Sequence, residues 1–281
     1  LGFKIKSAAD FHAAIPQIKK NIGRFANPFN YIFQQVEAPE EIAAVDGHWC
    51  LAEEIIAAEN QVTLEGYVFN GTVKIYGAVD SLREDHPSSF SRYHYPSRLP
   101  PEVLQQMTEA AIKVMQATDL DNEPFNIEFF YDPGTGRISL LEINPRISKS
   151  HCPLFYLVKG ASHQEVMLDL ALGKEPKYPR HSTGRYPMAT KFMVRHYSGD
   201  ALVKRIPSDD EIQAMRHEIS GLSLITLVKE GQRLSDLVDQ DTYSSEYANI
   251  FIGGHSEEEL RCKYRRCLEM LPFEFEPMTD A

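Results

Sequence analysis

The stretch FNIEFFYDPGTGRISLLEINPR, Phe125 to Arg146, commits the middle of the chain to an antiparallel hairpin. Two runs rich in Phe, Ile and Leu flank a Gly-rich turn, and so short a turn returns the second run alongside the first. Side chains alternate across a strand, so Phe125, Ile127, Phe129 and Tyr131 share one face while Asn126, Glu128 and Phe130 take the other. On the return run Glu142 and Asn144 share a face, with Leu141 and Ile143 opposite. If Asp132 to Arg137 makes the turn, Glu128 falls across from Glu142 to within about one residue of register. Two acids then oppose each other.

A second hairpin follows the same logic, because Asn70-Gly71 sits between QVTLEGYVF and TVKIYGAV. Around these hairpins the sequence reads as α+β. Ser7 caps a first helix that Pro16 should kink, FNYIFQQV reads as a strand, and a short helical stretch runs from Pro39 towards Gly47. WCLAEEII reads as a further strand. SLREDHPSSFSRYHYPSRLP has no period and reads as an irregular loop long enough to cover a site. Pro101 opens a helix with Val103, Met107, Ala111 and Met115 on one apolar face. Ser162 and Glu165 form a capping box for a helix ending at Gly173. Beyond it KFMVRHY, GLSLITLV and YANIFIGG read as strands, and Ser256 to Glu259 caps a last helix through Leu268. This pattern divides the 281 residues into a small lobe over 1–48, a core over 49–180 and a second α+β layer over 181–281.

Composition narrows the function. A formal charge of −11 disfavours nucleic acid as the main partner, since a polyanion surface needs a basic excess. No apolar run approaches the roughly 18–20 residues that cross a bilayer, and the first residues do not read as a secretory signal, so no membrane and a cytoplasmic location are expected. The four cysteines lack zinc or disulfide spacing, and the histidines lack an HExxH pair.

Like charges opposed on a sheet are destabilising. The hairpin acids therefore either lie on an ordinary solvent-facing row or share a cation. Two carboxylates and an amide oxygen, Glu128, Glu142 and Asn144, suit a hard divalent ion that completes its shell with water and phosphate oxygens. Arg146, just past the strand, would be placed to clamp a phosphoryl or carboxylate group. On spacing alone the two readings stand level.

FNIEFF followed by LLEINPR resembles the metal-binding signature of the ATP-grasp superfamily, closest to its biotin carboxylase-like and carboxylate-amine ligase branches. The resemblance implies an ATP-grasp fold, an antiparallel sheet with packed helices, part of a small lid lobe over 1–48 and a carboxyl-terminal α+β layer. It implies ATP and Mg²⁺ as cofactors, with Mn²⁺ as a substitute, and Glu128, Glu142 and Asn144 as metal ligands. Arg146 matches the arginine that stabilises the reacting acyl phosphate. AEEIIAAE occupies the place of the adenine-binding hinge, so Glu53, Glu54, Ile55 and Ile56 would line the adenine slot and Glu59 would hold the ribose. Without the resemblance, EEII reads as a strand end with solvated acids. The family's Gly-rich loop, its lysines and its amino-terminal domain would precede Leu1, which makes the chain read as the carboxyl-terminal part of a longer enzyme. The implied activity joins a small carboxylate to an amine or thiol through an acyl phosphate, with a homodimer compatible. A bicarbonate-activating carboxylase and a nucleotide-binding module without turnover are the alternatives.

Overall fold

A computed structural model describes residues 2–56, 60–84, 89–179, 183–237 and 244–278, and the chain divides into two units, Leu1–Ile56 and Ala57–Ala281. The first unit is helical. The Ser7 hydroxyl accepts from the Asp10 N–H and starts α1 (Ala8–Asn21), which carries Pro16 within it. α2 (Gly23–Phe33) contains most of FNYIFQQV, so that segment is a helix and not the expected strand. Aromatic and β-branched residues favour a strand only where a pleated neighbour receives them. Here the helical turn brings Phe29 and Phe33 together instead, with rings stacked at 5.5 Å. α3 (Glu40–Ala43) is a single turn after Pro39. WCLAEEII also departs from expectation: residues 49–56 have no regular secondary structure, no strand pairs with them, and Trp49 and Leu51 are exposed. Gly2–Lys6 is likewise irregular.

The second unit opens with β1 (Asn60–Phe69) and β2 (Thr72–Leu82), joined at Asn70-Gly71 with positive φ at both residues, as a two-residue hairpin requires. β3 (Arg92–Tyr95) comes next, in the segment expected to be an irregular loop. Four residues between a Ser-rich stretch and Pro96 are too few to show a period. α4 (Pro101–Gln116) then leads to the acid hairpin, β4 (Glu123–Asp132) and β5 (Arg137–Asn144). α5 (Cys152–Lys159) and α6 (Gln164–Ala171) follow; α6 starts a residue later than a Ser162 cap would place it, and the Ser162 hydroxyl accepts from the Gln164 N–H. The remaining elements are β6 (Met188–His196), β7 (Ala201–Arg205), α7 (Asp209–Glu218), β8 (Leu222–Thr226), β9 (Ser245–Gly254), α8 (Glu257–Met270) and β10 (Glu274–Pro277).

Eight strands form one sheet in the order β5-β4-β1-β2-β3-β6-β9-β8, with every pair antiparallel. β7 and β10 form a separate ribbon. One face of the large sheet is covered by helices along its length. Val103, Met107, Ala111 and Met115 of α4 pack on Val62, Leu64, Phe125, Ile127 and Phe129. Met215 of α7 and Leu260 and Cys267 of α8 pack on Phe192, Val194, Ile250 and Ile252. On the other face α5 seats Leu154 and Phe155 on Val79, Tyr95, Ala189 and Phe251. The row of β4 and β5 that carries the acids lies on this second face. No helix among the described residues is long and apolar enough to cross a membrane.

Candidate functional site

β4 and β5 pair with Glu128 opposite Glu142 and Asn126 opposite Asn144, the register that alternation and turn length predict. On the neighbouring strand Thr63 lies opposite Glu128 and Glu65 opposite Asn126. Glu128 is half-buried and accepts from the Gln61 amide at 2.6 Å, and the Gln61 carbonyl oxygen accepts from Arg83 Nη2 at 2.8 Å. The Arg83 guanidinium lies 4.0 Å from the centre of the Phe90 ring. Burial raises the Glu128 carboxyl above its usual range and the Gln61 bond pulls it back; the charge of Glu142 and a hydrogen bond between the two carboxyl groups raise it further. The Arg83 charge lowers it least of all, so two acids are held together with little countercharge.

Asn144 continues the patch. Its amide donates to Glu142 Oε1 at 2.9 Å and to Asn126 Oδ1 at 3.2 Å, and its Oδ1 accepts from Arg146 Nη2 at 3.2 Å. Glu128, Glu142, Asn144 and Arg146 therefore form one contiguous group on one face. Among the described residues no three His, Cys, Asp or Glu converge as a metal cage. Two carboxylates and an amide make an incomplete shell of hard oxygen donors, which fits Mg²⁺, an ion that keeps waters and takes phosphate oxygens. A dication here would also relieve the repulsion that raises Glu128.

Glu53, Glu54, Ile55 and Ile56 belong to the first unit, where Glu53 to Ile55 are exposed and Ile56 is partly buried. Glu59 lies outside the described residues. Ser148, Lys149, Ser150 and His151 lead from Arg146 into α5, with His151 buried. Cys152 is buried too, and burial pushes its thiol up, against a nucleophilic role. A cleft of about 620 Å³ opens on the helix-covered face beside Arg92, Glu257 and Arg261, and none of the hairpin acids lines it.

Sequence reasoning put Asn126 on the face of Glu128 but missed Gln61 and Arg83 beside it, and Glu65 beneath the following loop. Glu65 did carry a signal, as the one acid of β1, set between Leu64 and Gly66.

Residues 94–177 match the family described as carbamoyl-phosphate synthase L chain, ATP binding domain. The carbamoyl phosphate synthase large chain of Thermotoga petrophila is 46% identical over 104 residues, 37% of this chain and 9% of that one. That of Paenarthrobacter aurescens is 33% identical over 69 residues, covering 25% and 6%. This chain thus spans only about 9% of the length of the first of these relatives. Among solved structures, phosphoribosylglycinamide synthetase from Anaerococcus prevotii has a TM-score of 0.61 at 12% identity, over 79% of this chain and 54% of that one. The biotin carboxylase domain of Hydrogenobacter thermophilus 2-oxoglutarate carboxylase, described with MgADP and bicarbonate, has a TM-score of 0.56 at 16% identity, over 77% and 46%. The chain thus shares the mixed helix and antiparallel sheet fold of these two structures, and its residues 94–177 resemble the ATP-binding domain of carbamoyl-phosphate synthase.

Proposed function

We propose that this chain carries the metal and phosphoryl-transfer site of an ATP- and Mg²⁺-dependent ligase, which activates a small carboxylate as an acyl phosphate and passes the acyl group to an amine. The observation that carries the reading is the opposed pair Glu128 and Glu142, with Asn144 and Arg146 beside it on one face. Glu128, Glu142 and Asn144 would hold the metal, which when bound neutralises negative charge on phosphate oxygens. Arg146 supplies a fixed positive charge with a planar pair of donors, suited to the oxygens of the transferring group. Gln61 orients Glu128 and leaves its other oxygen for the metal. For Glu53, Glu54, Ile55 and Ile56 as the adenine slot, and Glu59 as the ribose acceptor, the support is the resemblance alone.

Bicarbonate is the second reading for the acid. It is favoured by the match to carbamoyl phosphate synthase and by the fold shared with a carboxylase domain described with bicarbonate. That domain is also described as a dimer, which makes a homodimer the assembly to test. The test is direct. Calorimetry of the full-length chain should show binding of ATP that EDTA abolishes, and a coupled assay should show ADP release that depends on one member of a panel of amino acids, bicarbonate and ammonium. ADP release with bicarbonate and ammonium alone selects the second reading. Binding without release across the panel would instead mark a nucleotide-binding module, and absence of binding would end the proposal.

A further inference from the structure

We infer that Glu65 and His163 are positioning residues for Arg146: together they clamp the Ser148 peptide, two residues beyond the arginine, from both sides. The inference rests on the function proposed above.

Glu65 is fully buried in β1, which is costly for a carboxylate unless its oxygens are bonded. Its Oε1 is bonded twice, by His151 Nδ1 at 2.7 Å and by the Ser148 N–H at 3.3 Å. The Ser148 N–H can only donate. On the other side of the same residue, His163 Nε2 lies 3.0 Å from the Ser148 carbonyl oxygen. A carbonyl can only accept, so Nε2 carries the proton, and in the neutral ring Nδ1 is left to accept from the Tyr76 hydroxyl at 3.2 Å. The His163 ring is fully buried and stacks on Phe155 at 4.7 Å. Burial disfavours its charged form.

The segment between β5 and α5 bonds within itself, Arg146 N–H to the Asn144 carbonyl at 2.8 Å and His151 N–H to the Ser148 carbonyl at 3.1 Å, and other elements hold it as well. Asn126 of β4 donates to the Arg146 carbonyl at 2.8 Å, and Lys191 of β6 donates to the Ser150 hydroxyl at 3.3 Å. Glu65 Oε2 has no hydrogen-bond partner among the described residues, although His163 Nδ1 is 3.6 Å away. Burial pushes the Glu65 carboxyl up to about 7, against the pull of His163, the Ser148 N–H and Arg146. An apolar residue would avoid this burial cost. What the acid provides is a defined path for the backbone just after Arg146, and hence a fixed base for its guanidinium.

The test compares Glu65→Leu, His163→Leu and His163→Gln in the full-length chain. It measures Mg·ATP affinity by calorimetry and the ADP release rate with whichever acid and amine of the panel drive it. A Leu at 65 removes the acceptor of the Ser148 N–H, and the Gln at 163 can still donate to the Ser148 carbonyl, whereas Leu cannot. Displacement of a catalytic group by about 1 Å costs about a hundredfold in rate. Glu65→Leu and His163→Leu should therefore lower kcat about a hundredfold while leaving the Kd for Mg·ATP within about twofold, and His163→Gln should recover most of the rate. Undiminished kcat in Glu65→Leu overturns the inference. So does parallel loss of affinity and rate with His163→Gln no better than His163→Leu, the pattern of general destabilisation. If Glu65→Leu fails to fold, the two His163 variants decide. A wild-type chain that releases no ADP overturns the proposed function, and this inference with it.

Discussion

Replacing Glu142 by Gln should make the metal-free chain more stable and remove the further stability that Mg·ATP confers. Like charges facing each other across a strand pair cost roughly 0.2–1 kcal/mol. Two carboxylates about 4 Å apart repel by about 1 kcal/mol in water and about 4 kcal/mol at an effective dielectric near 20. Glu142 is exposed and Glu128 half-buried, so the low end applies, about 1 kcal/mol. A Gln at 142 keeps an oxygen for the Asn144 amide, so the bond at 2.9 Å need not be lost. For a unit of this size about 1 kcal/mol moves Tm by about 2–4 °C, which is the rise expected for Glu142→Gln in EDTA. At a hundred times Kd a ligand adds about 2.7 kcal/mol, so Mg·ATP should raise the wild-type Tm by about 5–11 °C and the variant hardly at all. The order of the two melting curves thus inverts between EDTA and Mg·ATP. The sign also depends on pH. The folded Glu128 carboxyl is raised, so its unfavourable ionised form sets in as pH rises through that value. The advantage of the variant in EDTA should disappear on acidification. Thermal melts with and without EDTA decide the matter: a variant that melts below wild type in EDTA, or one that keeps the full Mg·ATP rise, refutes the shared-cation reasoning.

Arg146→Lys should lower kcat for ADP release by about 10²-fold with little change in the Kd for Mg·ATP, because an ammonium lacks the planar donor pair; single-turnover rates against calorimetry read the split. Arg92→Leu should cost about 3 kcal/mol in urea unfolding and leave Mg·ATP affinity unchanged, since the buried Arg92 guanidinium is bonded to Glu84 and Glu257 on the helix-covered face. Burial holds the His94 imidazole down to about 4 from an ordinary 6.5. The stability this represents is full above the ordinary value and is lost as pH falls from 6.5 towards 4, so the wild-type urea midpoint should drop across that window and His94→Gln should flatten the drop.

The parts of the fold legible in the sequence were those with a strong local rule. Asn70-Gly71 requires a tight turn, and the alternation around Asp132–Arg137 placed Glu128 against Glu142 in register. Where a tertiary partner decides, the sequence misled. FNYIFQQV has strand-like composition but folds largely as helix, and β3 is a strand only because β2 and β6 receive it on either side. α5 was hidden behind a polar lead-in and begins at Cys152-Pro153, a start that Pro tolerates in a first helical turn. The bonds from Glu65 of β1 to Ser148 and His151 span 83 and 86 residues, so no local window could pair them.

β3 also has an architectural consequence. It meets β6 over only four rungs, Arg92 with Phe192 through Tyr95 with Ala189, while each flank of the sheet keeps its own helix-covered core. A genetic crossover between α6 and β6 would have to match those rungs, the apolar seat under α5 and the polar bonds across the seam, among them Arg92 to Glu257 and Lys191 to Ser150, to install a foreign distal half. The acid hairpin, encoded wholly upstream, would keep its own strand pairing through such an exchange, so the two halves of the sheet meet as heritable segments at one short strand, one apolar seat and a few polar bonds.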